Sequence, residues 1–263
     1  FSLRGKNTLE ALQPLLTNDL TKLKPFQAQY HFLCNENGGV IDDLIVYRRN
    51  EEETYICVNA SNIENDFNWM REHLPKGITF LNQSDETALI AAQGPIAEKV
   101  LCEIAPPEVV ESLKYYYAMD TRVAEIPCYL SRTGYTGEDG FELYLNKKEA
   151  STIWNLLLEK GFTPCGLGSR DTLRLEMGYP LHGHELSPQL NARTANLDWV
   201  IKMNHELIGK EALLSYDQQP TTTLIAIKIE DRRIPRTGCP ILNSKKQKIG
   251  EVTSGTFSPH LNC

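Results

Sequence analysis

Apolar spacing divides this chain into helices and strands before any chemistry is considered. Leu9, Ala11, Leu12, Leu15 and Leu16 recur at helical intervals, which predicts a helix over 8–16 that Pro14 ends early. Residues 29–34 and 40–48 read as the two strands of a hairpin around the 35–39 turn, and 54–58 as a third strand. Ile63, Phe67, Met70 and Leu74 mark a helix over 61–74 that stops at Pro75. Short strands follow at 79–81 and 87–92, and Gly94-Pro95 opens a helix through Leu101. Strands at 123–131 and 140–145 flank a Gly-rich turn. Ile153, Leu156 and Leu157 give an inward face to a helix over 148–160, closed by Gly161. A helix over 169–178 takes Ser169 as its N-cap. Beyond Gln218 only strands are predicted, at 222–229, 240–242 and 250–254. Helices mixed with strands, then strands alone, predict an α+β body with a β-rich end.

Composition narrows the class. The 263 residues are 41% hydrophobic and 23% charged, enough core for one large domain or two to three smaller ones. Net charge is -7, and the one basic cluster (Lys245, Lys246, Lys248) falls at a predicted hairpin tip, so no nucleic-acid partner is expected. No apolar run approaches the ~20 residues that span a bilayer, so no membrane role is expected. Seven cysteines form no Cys-x-x-Cys pair, and a reducing compartment fits them best. The chain opens on a strand-like Phe1-Ser2-Leu3 without methionine and stops after a Ser-Pro loop, so further segments are expected at both ends.

Candidate chemistry begins at Asp42 and Asp43, which follow Gly38-Gly39 and lead an apolar strand. Period-2 alternation sends their side chains to opposite faces, one toward solvent and one toward the packing side of the sheet. A carboxylate aimed into an apolar site needs a partner, and a ligand nitrogen would serve. Local backbone donors would serve as well. Tyr47 shares a strand face with Asp43, and Tyr30 lies on the partner strand. Two phenols beside a carboxylate suit a flat aromatic ligand, although such pairs also stabilise hairpins unaided.

Three glycines within 134–140 permit unusual backbone angles and close approach, and Glu142 starts the strand that follows. Its carboxylate can accept two parallel N–H bonds from a ligand edge, or it can simply mark a strand edge. Arg170 and Arg174 share a helix face after Gly166-Leu167-Gly168, with Arg170 in the first turn where the helix dipole disfavours a cation. Arg170 could bind a ligand or form an ordinary ion pair with Asp171 or Glu138. Neither a Gly-x-Gly-x-x-Gly nor a Gly-Lys-Ser/Thr pattern is present to argue for a nucleotide, and no Gly-x-Ser-x-Gly elbow argues for a hydrolase. His182 and His184 lie two apart and could share a face, but no third ligand has clear metal spacing, so no metal is expected.

Together, Leu16-Thr17-Asn18-Asp19-Leu20, the 35–48 run, Gln93-Gly94-Pro95, the segments 134–142 and 166–178, and Thr253-Ser254-Gly255-Thr256-Phe257-Ser258-Pro259 resemble the aminomethyltransferase (T-protein) family of the glycine cleavage system. They occur in that family's order along almost the whole chain. The Lys-Gly-Cys-Tyr-type signature of iron–sulfur-assembly relatives is absent. The resemblance implies a cloverleaf-like α+β fold with antiparallel sheets and a C-terminal β domain of barrel or jelly-roll type. The expected divisions are 1–83, 84–205 and an incomplete 206–263, with family segments lying beyond both ends.

It also implies an enzyme that moves a one-carbon unit from aminomethyl-lipoyl H-protein to tetrahydrofolate, giving methylenetetrahydrofolate and ammonia. A related folate-dependent demethylase and a non-catalytic folate-binding module are the alternatives. Carried over by position, Asp43 is the essential aspartate and the inward member of its pair, with Asp42 facing outward. Glu142 and Arg170 bind folate or substrate, and Tyr30, Tyr47 and Tyr135 line the cleft. Tetrahydrofolate enters as acceptor substrate, with neither flavin nor metal. The expected partner is lipoylated H-protein, and the expected state is a monomer. The expected location is the cytoplasm in a bacterium or the mitochondrial matrix in a eukaryote.

Overall fold

A computed structural model describes residues 1–230 and 233–263. The first sheet holds β1 (Ser2–Arg4), β2 (Ala28–Cys34), β3 (Val40–Arg48), β4 (Glu53–Cys57) and β5 (Thr79–Leu81) in the order β2-β3-β4-β1-β5, each pair antiparallel. Along the β2–β3 hairpin Tyr30 lies opposite Ile45, and Phe32 opposite Asp43. Helices α1 (Thr8–Leu12) and α2 (Ile63–His73) bury Leu12 and Met70 with Leu33, Leu44, Val46 and Ile56 from the sheet. Pro14 ends α1 as expected, and the chain continues as a 3-10 turn over Gln13–Leu15. Leu74 ends α2 with extended backbone, because the following proline disfavours the helical region for the residue before it.

The second sheet contains β6 (Thr87–Gln93), β7 (Ala118–Val123), β8 (Ile126–Ser131) and β9 (Gly140–Asn146) in the order β6-β9-β8-β7. Its outer face packs on α3 (Ala97–Leu101), α4 (Pro107–Ser112) and α5 (Ala150–Glu159). Phe141 and Leu143 meet Leu101, Val110, Ile153 and Leu157 there. Its inner face meets the first sheet through Ala28, Tyr47, Ala118, Tyr129 and Tyr144. The Tyr47 and Tyr144 rings lie edge to face at 5.8 Å, an arrangement that adds quadrupole attraction to apolar burial. The molecule therefore has the mixed α+β architecture with antiparallel sheets that the sequence predicts.

Helix α6 (Leu167–Glu176) follows, and then a chain whose Leu186, Ala192, Val200 and Leu213 bury Phe32, Cys34 and Val40 of the first hairpin. Leu213 belongs to α7 (Lys210–Gln218). The last described pairing is a hairpin of β10 (Pro240–Leu242) and β11 (Lys248–Glu251), with the lysine-rich turn at its tip.

Several expectations change. The strand predicted over 123–131 is two strands, joined at Ala124 and Glu125 with φ of 47° and 64°. Positive φ at both residues makes the tight turn that suits hairpin twist, yet neither residue announces it. Helix α6 starts at Leu167 with Gly166 at its N-cap, so Ser169 lies inside it. Residues 222–229 form no strand. Leu224 bonds instead to Thr194 and Asn196, and Ile225 and Ile227 are exposed. An alternating apolar pattern becomes a strand only where a neighbour completes its backbone hydrogen bonds. All seven cysteines are free thiols.

Candidate active site

Asp42 does not face solvent, which corrects the expectation that it is the outward neighbour. It is fully buried, and strand β3 is covered on both faces. The sequence carried a sign of this in the nearly unbroken apolar run Leu44-Ile45-Val46-Tyr47, the pattern of a doubly buried strand. Alternation holds, and it separates two interiors. Asp42 points toward the turn before α2, where Oδ2 accepts the Asn59 backbone N–H at 2.9 Å. Its Oδ1 accepts Asn59 Nδ2 at 2.9 Å and Asn62 Nδ2 at 2.6 Å.

Asp43 points between the two sheets. The Tyr30 hydroxyl donates to its Oδ2 at 2.8 Å, and Asn59 Nδ2 donates to its Oδ1 at 3.0 Å. Burial raises the Asp43 carboxyl to about 6, helped by the neighbouring negative charge of Asp42 and opposed by Tyr30, His182 and Asn59. Such a group changes protonation close to neutrality, as a proton-transfer residue requires. Tyr30 is held in turn by the 16–20 segment. Asn18 Nδ2 donates to the Tyr30 carbonyl at 3.1 Å, and Thr17 Oγ1 accepts the Phe32 N–H at 3.0 Å. Burial and the adjacent Asp43 raise the Tyr30 phenol well above its ordinary value, so it remains a donor.

Glu142 and Tyr144 alternate on β9 and face the first sheet, while Phe141 and Leu143 face the outer core. The Glu142 carboxylate accepts from Thr133 Oγ1. Burial raises its pKa, against the pull of Thr133 and the Arg170 charge. Tyr47 is fully buried in the inter-sheet layer, where its hydroxyl lies 3.0 Å from that of Tyr144 and 3.4 Å from Thr133 Oγ1. Its link to Glu142 thus runs through Thr133.

The loop before β9 is shaped by Gln93. Its Nε2 donates to the carbonyls of Thr133 and Phe141, both at 3.0 Å. A side chain at Gly134 would place Cβ 1.9 Å from Gln93 Oε1, and one at Gly140 would lie 2.7 Å from Gln93 Cα. The glycines therefore let two separated sequence motifs close on each other. This loop carries Tyr135, whose hydroxyl donates to the Pro180 carbonyl and whose ring stacks on Tyr179 at 5.7 Å. The Arg170 guanidinium lies over the Tyr135 ring, 4.6 Å from its centroid.

Arg174, its neighbour one turn on, makes the ion pairs instead. It bonds Glu185 at 3.1 Å and Asp171 at 2.7 Å, and donates to Ser254 Oγ at 2.7 Å. Arg170 is exposed, with its guanidinium over Tyr135. Electrostatics tie the group together. Asp43 and Arg170 both act on the Tyr135 phenol, Arg170 acts on Glu142, and Tyr30 senses Asp43 and Tyr135. Asp43, Glu142, Tyr30, Tyr135 and Arg170 thus lie within electrostatic reach of one another.

His182 and His184 turn to different elements. His182 accepts from Asn62 Nδ2 at 3.1 Å and donates to the Val40 carbonyl at 3.2 Å, while His184 meets Thr253 and Ser254. Sequence reasoning missed Asn59, whose one amide serves both aspartates. It lies 16 residues from Asp43, and nothing in that spacing announces the contact.

A profile of the GCVT N-terminal domain matches residues 1–205. The chain belongs to that family. It is 42% identical to the aminomethyltransferase of Thermotoga petrophila and 43% identical to that of Halalkalibacterium halodurans, spanning 99% and 98% of this chain and 72% of each relative. The crystal structure of glycine cleavage system aminomethyltransferase T from Bartonella henselae superposes with a TM-score of 0.88 at 30% identity, over 99% of this chain and 72% of that one. This GCVT-family chain therefore shares the fold of an aminomethyltransferase through nearly all of its length. No helix among the described residues is long and apolar enough to cross a membrane.

Proposed function

We propose that this chain carries the folate and one-carbon chemistry of an aminomethyltransferase of the glycine cleavage system. The carrying observation is the pair of carboxyls on facing sheets, Asp43 raised to about 6 and Glu142 raised by burial, each with acceptor capacity left for a ligand. A reduced pterin presents the matching edge, an amino group beside a ring N–H, and Glu142 would take both. Tyr135 and Arg170 would stack along the body of the folate. The cloverleaf arrangement, with domains at 1–83, 84–205 and 206–263, belongs to the same reading.

In the reaction, the methylene carbon of aminomethyl-lipoyl H-protein loses its bonds to nitrogen and sulfur and gains bonds to N5 and N10 of tetrahydrofolate. The two folate N–H protons leave, one ending on ammonia and one on the lipoyl thiol. Asp43 orients the attacking nitrogen and relays its proton, a role suited to a group poised near neutrality. Asn59 and Tyr30 fix the carboxyl in place. The partner is H-protein, and folate is a substrate. In a bacterial cell this activity would sit in the cytoplasm.

Titration with tetrahydrofolate, followed by ammonia release from aminomethyl-loaded H-protein, tests the reading. Saturable binding with stoichiometric ammonia supports it. Folate binding without ammonia release favours a binding module, and release from a free methylated amine favours a demethylase.

A further inference from the structure

Behind Asp42 lies a second carboxyl that the proposed chemistry does not use. Asp66 stands one helical turn after Asn62 on α2 and is fully buried. Neither of its oxygens receives a well-formed hydrogen bond. The groups that approach it are the Asp42 carboxyl and the Asn65 amide, with Asp43 acting through space. Asn59 and Asn62 complete the surroundings, and His182 is bonded to Asn62. Two buried carboxyls in contact do not both ionise, so one keeps a proton. Asp42 already accepts three N–H bonds. Its Oδ1 takes two and its Oδ2 takes one, so Oδ2 keeps an open acceptor site. Asp66 has only the Asn65 amide nearby to favour a charge, and no well-formed hydrogen bond from it.

We propose that Asp66 is a positioning residue that keeps its proton at neutral pH and donates it to Asp42, completing the shell that holds Asn59 against Asp43. Burial and Asp42 push the Asp66 carboxyl up to about 10, in keeping with this arrangement. The folded protein then holds a proton that the unfolded chain releases above about pH 4. Stability from this pair is complete below the unfolded pKa and declines as pH rises toward the folded value. The proton itself is independent of the proposed function, and only its effect on Asp43 rests on that reading.

The test compares wild type with Asp66→Asn, which keeps a donor but cannot ionise, and Asp66→Ala, which removes the donor. An infrared difference spectrum between wild type and D66N at pH 7 is expected to show a protonated carboxyl in wild type alone. Its absence overturns the proposal. Between pH 5 and 9 the unfolding constant of wild type should climb relative to D66N by close to tenfold per unit. Parallel profiles overturn it as well. D66N should retain at least about tenfold more aminomethyl transfer than D66A, the turnover lost by D66A corresponding to one charge-assisted hydrogen bond. Equal transfer by the two variants removes the positioning role. A wild-type chain without transfer counts against the proposed function instead, and the infrared result still decides the proton.

Discussion

The two faces of β3 treat adjacent aspartates differently. On the α2 face, Asp42 is surrounded by Asn59, Asn62 and Asp66, and three N–H groups reach its oxygens. On the inter-sheet face, Asp43 takes one phenol and one shared amide and is raised to about 6. Both are acids, and one pleat separates them. A carboxylate held by several donors is fixed in place, whereas a buried one with fewer changes protonation close to neutrality and has lone pairs left for a ligand. On the proposed function, Asp42 is structural and Asp43 carries the chemistry.

The largest expected effect breaks that assignment if it fails. Asp43→Ala should lower aminomethyl transfer by about 10²–10⁴-fold with little change in melting temperature. Asp42→Ala should do the reverse first. It strands three buried N–H bonds and should cost about 1–3 kcal/mol or more of folding stability in denaturant melts. If Asp42→Ala leaves the melt unchanged, the two faces are not distinct in kind.

Glu142→Ala comes next. Loss of a charge-assisted contact to the pterin edge should weaken tetrahydrofolate binding by roughly ten- to a hundredfold, read by calorimetry. An unchanged affinity would remove Glu142 from the ligand. A smaller effect sharpens the Asp43 side. The Tyr30 hydroxyl lowers the Asp43 pKa, so Tyr30→Phe should move it upward from about 6. With Asp43 active when ionised, the acid limb of the pH–rate profile then shifts to higher pH by up to about one unit. A shift the other way would mean that the tyrosine acts elsewhere.

A separate pH effect lies on the Asp42 face, where His31 is fully buried and its Nε2 has no partner. Burial lowers its pKa to about 3, with the His205 charge adding to the effect. The unfolded chain therefore takes up a proton near its ordinary value, about 6.5, before the folded protein does. Stability should decline as pH falls from about 6.5 toward 3, and His31→Phe should flatten that limb in melts between pH 7 and 4. An unaltered limb would assign acid sensitivity to other groups.

Much of this was legible because local signals were strong. The 35–39 turn and the alternation around it gave the hairpin and both aspartates, and Pro14 and Pro75 gave helix ends. The turn at Ala124 and Glu125 was illegible because its positive φ values arise from pairing, not from residue type. Residues 222–229 carry strand-like alternation without a partner to realise it. Asp42 was misplaced because alternation names opposite faces but does not say whether either is wet. Asn59 was invisible because its role depends on a turn that brings it back across β3.

The placement of β1 between β4 and β5 has a consequence for synthesis. The β2–β3 hairpin can form as soon as residue 48 leaves the ribosome, carrying both aspartates. Closure of this sheet then waits until residue 81 is free, because β1, first of these five strands in chain order, has β4 on one side and β5, the last of the five, on the other. Ser2–Arg4 can pair with β4 once residue 57 emerges, but its other edge stays open until β5 follows, an interval in which chaperone capture or a slow codon near β5 would shape the yield of native protein.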